Sequence, residues 1–157
     1  QNRLKKEGYL IQVLNAGISG DTTSGGVQRL PVLLDKYTPE IVVIELGGND
    51  GLRGTSINSI ESNLRSMIEV ALGRGAKILL IGMQLPPNYG NAYTTSFQNL
   101  FPELASEYGI GLVEKLIERM MNETWQQNLI QADGIHPTAE GHIQIEKIIW
   151  DSLQPLL

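Results

Sequence analysis

Short, uninterrupted apolar runs alternate along this chain with stretches of helical periodicity, and that alternation restricts the fold more than any other feature. Leu10-Ile11-Gln12-Val13-Leu14, Ile41-Val42-Val43-Ile44-Glu45-Leu46, Lys77-Ile78-Leu79-Leu80-Ile81-Gly82-Met83 and the weaker Ile110-Gly111-Leu112-Val113 read as strands. Continuous runs suit strands covered on both faces, as in a parallel sheet. Between them, Val27, Leu30, Leu33 and Leu34 share one helical face, as do Ile57, Ile60, Leu64, Met67, Ile68 and Ala71. A third helix is expected over Thr94 to Tyr108. A fourth carries the stripe Ile145, Ile148, Ile149 and Leu153 behind a Thr138 N-cap. Strands alternating with helices predict an α/β fold with right-handed crossovers.

Length and composition agree with one domain over residues 1–157. The chain is 41% hydrophobic and 18% charged, with no repeat, linker or low-complexity segment. A domain of this size buries roughly 70% of its unfolded surface and needs no staples. The net charge of −5 argues against a nucleic-acid partner. No apolar run approaches the roughly 18 residues of a membrane span. Cysteine is absent, which excludes disulfides and thiolate metal sites. Gln1 to Glu7 reads as the polar end of a helix closed by Gly8, so the chain is expected to open mid-helix and to have lost its true N-terminus.

In an open α/β sheet, ligands sit beyond the carboxyl ends of the strands. Asn15-Ala16-Gly17-Ile18-Ser19-Gly20-Asp21 follows the first run, Gly47-Gly48-Asn49-Asp50 the second and Gln84-Leu85-Pro86-Pro87-Asn88-Tyr89-Gly90 the third. These loops are expected to converge, with the Asp133–His136 loop packing beside them.

Each candidate residue has a chemical reading and a plain one. His136 suits a general base, and Asp133 can fix its tautomer across a turn that Gly134 permits and Pro137 terminates. The same residues also suit a capped surface turn. Asn49 can donate its amide to an oxyanion, or it can belong to an Asn-Asp-Gly turn. Gly20 can offer a backbone N–H, or it can sit in a strand-to-helix turn with Asp21 or Thr22 as N-cap. His142 and Glu146, at i and i+4, read as an exposed helix pair rather than a metal pair. Trp125 and Trp150 read as core or rim packing.

Taken in order, the motifs resemble the SGNH branch of the GDSL hydrolases, and within it the small bacterial arylesterase, acyl-CoA thioesterase and lysophospholipase type. The likeness covers nearly the whole chain. It rests on Asn15 to Thr22, Val43 to Gly54, Leu85 to Gly90 and Asp133 to Pro137. It implies a three-layer α/β/α sandwich of the flavodoxin-like kind and hydrolysis of acyl esters or thioesters. No cofactor or metal is implied. Gly20 and Asn49 would form the oxyanion hole, and His136 would be the base oriented by Asp133. Gly51, Leu52 and Arg53 would belong to a flap over the acyl group, flanked by Pro86, Asn88 and Tyr89.

The family's nucleophile is a serine in a Gly-Asp-Ser-Leu-type block at the end of its first strand. That block is expected upstream of Gln1, together with the strand, so the sheet here is expected to lack it. Ser19, Thr22, Thr23 and Ser24 occupy the oxyanion position rather than the nucleophile position. In the family sheet the missing strand lies between Leu10–Leu14 and Ile41–Leu46, so both would face unpaired backbone, and the isolated chain is expected to be poorly stable or inactive. The rival readings are a flavodoxin-like phosphate-binding module and a degenerate family member. No phosphate-loop pattern supports the first. A monomer acting on a small acyl substrate is expected. The resemblance alone favours a periplasmic or secreted location.

Overall fold

The structure, a computed structural model, describes residues 1–123, 128–133 and 136–157. Three parallel strands, β1 (Ile41–Ile44), β2 (Lys77–Ile81) and β3 (Gly111–Val113), form one sheet in the order β1-β2-β3. Ile41 lies opposite Lys77 and Ile44 opposite Leu80, while Leu79 lies opposite Gly111 and Ile81 opposite Val113. The α-helices are α1 (Asn2–Lys6), α2 (Thr23–Tyr37), α3 (Gly48–Leu52), α4 (Ile57–Leu72), α5 (Asn91–Tyr108), α6 (Leu116–Glu123) and α7 (Ala139–Leu153), with single 3-10 turns at Pro87–Tyr89 and Gln154–Leu156.

Alternation along β2 builds the layers. Ile78 and Leu80 pack with Leu34, Ile60, Leu64, Met67, Phe97 and Phe101 from α2, α4 and α5. Leu79 and Ile81 point the other way, to Val113, Leu116, Met120 and Ile148 from β3, α6 and α7. The sheet therefore lies between two helical layers, as the sequence predicts. Each fully buried Leu, Ile or Phe contributes about 1.5–3 kcal/mol, so β2 is the centre of stability as well as of the sheet.

The ends of the helices follow local chemistry. Gly8 closes α1 with φ +87°, and the Tyr9 and Gly8 N–H groups donate to the Leu4 and Lys5 carbonyls. The side chains of Thr22 and Thr138 accept from Gly25 and Gly141, capping α2 and α7. Trp150 is buried, edge-on to Tyr9 and beneath the Arg3 guanidinium, which is the rim packing expected of it. Trp125 lies outside the described residues.

One strand expectation fails. Leu10–Leu14 belongs to no strand, and Leu10, Val13 and Leu14 are exposed. Strand propensity is realised only against a partner, and this segment has no described strand beside it. Its Ile11 carbonyl and Val13 N–H bond instead to the side-chain amide of Gln1, each at 2.8 Å. Val43 of β1 remains 46% exposed, so that side of the sheet is open. Two elements were not expected: α3 falls where a turn was read, and α6 in a stretch without an assignment.

Candidate active site

The Gly20 loop is shaped by one tight turn. The Asp21 N–H donates to the Ile18 carbonyl at 3.2 Å, and Gly20 has φ +75° while Ser19 does not share the left-handed region. This is a type II turn, whose third position favours glycine. The turn leaves the Gly20 N–H outside its own hydrogen bond, and none of the described residues accepts from it.

Asn49 approaches the same loop from α3. Gly47 enters that helix at φ +118°, and a Cβ there would lie 3.5 Å from the Phe101 ring. Asn49 Nδ2 donates to the Asp21 carbonyl at 2.9 Å. A primary amide carries two N–H donors, so this bond orients the side chain and leaves one N–H to give. Asn49 is thus tied to the residue that directly follows Gly20.

Asp50 supplies a link that the sequence alone concealed. It is buried, and its two carboxylate oxygens accept from the Thr23 N–H (2.9 Å) and the Thr23 hydroxyl (2.7 Å). Asn63 Nδ2 donates to the same hydroxyl oxygen at 3.0 Å. A carboxylate at the first turn of α2 satisfies an otherwise orphaned N–H and suits the helix dipole. Thr23, considered as a stand-in nucleophile, is fully buried with its hydroxyl committed to this network. The one signal in the sequence was a carboxylate in the Gly-rich stretch that follows the Ile41–Leu46 run.

The Gly51–Ser56 loop is tied on both sides. A Cβ on Gly51 would come within 2.6 Å of Leu85 and 3.0 Å of Phe97. The Tyr89 hydroxyl donates to the Leu52 carbonyl at 2.9 Å, and the Tyr93 hydroxyl to the Thr55 carbonyl at 2.6 Å. Burial pushes the Tyr93 phenol up, with the charges of Asp50 and Tyr89 adding to it, which keeps it a donor. Arg53 Nη2 donates to the Gly20 carbonyl at 3.1 Å. The expected substrate-side residues Arg53 and Tyr89 therefore hold loop to loop in this structure. Pro86 is half-buried and Asn88 exposed. The three loops converge as expected, although the first of them follows no strand.

The second pair forms locally. His136 Nδ1 lies 2.7 Å from Asp133 Oδ2, and the His136 N–H donates to Asp133 Oδ1 at 3.0 Å. The carboxylate thus holds both the backbone and the ring through Nδ1. Gly134, which with Pro137 carried the turn argument, lies outside the described residues, as does Ile135. An antiparallel bridge between Ile130 and Pro137 closes the loop, and Thr138 Oγ1 donates to the Asn128 carbonyl at 2.6 Å.

Glu45, which directly follows β1, is perturbed by its surroundings. It retains exposed surface, yet crowding by protein atoms pushes its carboxyl up, while the charge of His142 works in the opposite direction. His142 and Glu146 are both exposed, and no group of three or more metal-ligating side chains occurs among the described residues. A shallow recess lined by Gly82, Met83, Phe101 and Lys115 includes none of the expected site residues.

Residues 1–143 match the GDSL-like lipase/acylhydrolase family. Esterase TesA of Pseudomonas aeruginosa is 46% identical over 157 residues, which is all of this chain and 77% of that protein. The thioesterase 1/protease 1/lysophospholipase L1 of Escherichia coli K12 is 39% identical over 146 residues, covering 92% of this chain and 68% of that protein. The crystal structure of TesA aligns with a TM-score of 0.92 over 99% of this chain and 85% of that one, at 46% identity. The structure of the psychrotrophic esterase EstA from Pseudoalteromonas sp., inhibited by monoethylphosphonate, aligns with a TM-score of 0.89 over 98% of this chain and 82% of that one, at 30% identity. Sequence, fold and loop order agree, and the chain belongs to the GDSL-like lipase/acylhydrolase family of SGNH serine hydrolases.

Proposed function

We propose that this chain carries the base and oxyanion groups of a serine esterase acting on carboxylic esters or thioesters of acyl chains. The observation that carries the proposal is the 2.7 Å contact between His136 Nδ1 and Asp133. A carboxylate on Nδ1 selects the tautomer whose Nε2 accepts a proton. In this reading the serine hydroxyl attacks the acyl carbonyl as its proton passes to His136 Nε2. The carbonyl oxygen becomes an oxyanion between the Gly20 N–H and the Asn49 amide, each donor contributing about 3 kcal/mol. The tetrahedral intermediate expels the alcohol or thiol, which takes the proton from His136. Water repeats the sequence on the acyl-enzyme and releases the acid.

No Gly-Asp-Ser tripeptide occurs in the 157 residues. The nucleophile in this reading comes from the family's Gly-Asp-Ser-Leu-type block, and the 157 residues alone are inactive. In this reading the enzyme acts as a monomer. The test is hydrolysis of p-nitrophenyl esters by two proteins: the chain alone, and the chain joined to the Gly-Asp-Ser-Leu strand of a relative. Activity in the joined protein that vanishes when its serine becomes alanine is expected. A folded joined protein that binds but never turns over the ester contradicts the proposal, and phosphate binding in its place favours a binding module.

A further inference from the structure

The segment before α2 carries Gly20 yet has no regular structure of its own, and nearly all of it is exposed. An oxyanion donor must nevertheless stay fixed, because preorganisation is what gives such a donor its effect. One side chain spans this segment. Arg29 Nη1 donates to the Ala16 carbonyl at 2.9 Å, while Nε and Nη2 donate to Asp21 Oδ2 at 3.1 and 2.5 Å. A single guanidinium therefore grips both ends of the stretch that holds Gly20.

We infer that Arg29 is a positioning residue for the oxyanion hole, holding the Gly20 turn at a fixed distance from Asn49 by clamping Ala16 and Asp21 onto α2. This inference rests on the esterase reading above.

Three observations favour it. The anchor is rigid, since Gly26 lets α2 approach so closely that a Cβ would lie 2.5 Å from Leu46 and 2.6 Å from Met67. The clamp ends on the residue that also orients Asn49, because Asp21 offers its carboxylate to Arg29 and its carbonyl to Asn49 Nδ2. The planar fork of arginine can reach two acceptors on opposite sides of a turn, whereas a lysine ammonium is a point charge. The Arg29 guanidinium also holds the Asp21 carboxyl below the usual carboxylate range.

The experiment uses the joined protein and its Arg29→Gln and Arg29→Lys variants. Steady-state kinetics are normalised to active sites titrated with a phosphonate, and the Gly20 amide is followed by 15N relaxation. For Arg29→Gln, kcat per active site should fall about 10- to 100-fold, with KM changed less than about twofold, because a misplaced donor is felt in the transition state. The Gly20 amide should become more mobile, and Arg29→Lys should fall in between. An unchanged kcat per active site, or an unchanged Gly20 amide, overturns the inference. If the unsubstituted joined protein has no esterase activity, the esterase reading fails separately, and the Gly20 amide alone then decides whether Arg29 fixes the turn.

Discussion

The two halves of the site are built in opposite ways. The Gly20–Asn49 half is sewn together by bonds between residues far apart in sequence: Thr23 to Asp50, Asn49 to Asp21, Tyr89 to Leu52 and Arg29 back to the loop before it. Its charged pair is sheltered, with the Arg29 and Asp21 side chains 31% and 13% exposed. The Asp133–His136 half is a contact three residues long, with side chains 45% and 68% exposed. One half exists only when the tertiary fold exists, whereas the other is formed within its own loop. The division suits the chemistry. Oxyanion donors must not reorganise during reaction, whereas a base must hand protons to a serine, a leaving group and water.

The contrast is broken most severely at His136. In the joined protein His136→Ala should reduce kcat by about 10⁴-fold or more, since loss of the base removes the proton path. Circular dichroism and melting temperature should be unchanged, because the residue is exposed and bonded only locally. A loss of less than tenfold places the base elsewhere.

Asn49→Ala comes next, with a decrease of about 10²–10³-fold in kcat and little change in KM. Equal loss in KM alone would remove Asn49 from the oxyanion hole. Asp50→Ala tests the sewing rather than the chemistry. It leaves the buried Thr23 N–H and hydroxyl without their acceptor, at a cost of about 1–3 kcal/mol in urea unfolding. A change below the error of the melt would show that Asp50 does not hold the two loops together.

The smallest effect is a pH slope from Glu45. Burial raises its folded pKa above the ordinary value, so the native state binds a proton that the unfolded chain has already lost. The stability this contributes is complete below the unfolded pKa and disappears as pH rises through the folded one. Glu45→Gln should flatten that part of the stability–pH curve and leave the profile near Asp21 intact. The Asp21 contribution has the opposite sign, being lost as pH falls through its depressed folded value.

Much of this architecture is legible in the sequence. Runs such as Lys77–Ile81 declare a buried strand because Ile78 to Ile81 are all buried, and the stripe Ile60, Leu64, Met67, Ile68 and Ala71 declares a helix face in the same way. Leu10–Leu14 has the same composition, but no described strand lies beside it, and propensity without a partner does not make a strand. The helix α3 escapes notice because Gly47-Gly48-Asn49-Asp50-Gly51 has turn composition, and what holds it helical is Asp50 bonding 27 residues away. Leu116 and Met120, one turn apart and both buried, were a readable signal for α6.

The site was legible where spacing is short and obscure where it is not. Asp133 and His136 form the pair that their separation suggests. Arg29 could not be found that way, because nothing in its neighbourhood distinguishes it from any other arginine on a helix. Its meaning lies in a loop that folds back onto α2. The roles read into Arg53 and Tyr89 as substrate contacts overlooked that a guanidinium and a phenol also satisfy free carbonyls, here those of Gly20 and Leu52.

The most direct measurement is a crystal structure of the joined protein with a phosphonate bound covalently to its serine. Gly20 N–H and Asn49 Nδ2 should both lie about 2.7–3.1 Å from one phosphoryl oxygen, with His136 Nε2 in hydrogen-bond reach of the serine oxygen. A phosphoryl oxygen bonded to other donors, or a His136 ring turned away from the adduct with Asp133 still attached, would contradict the assignment of these four residues to one active site.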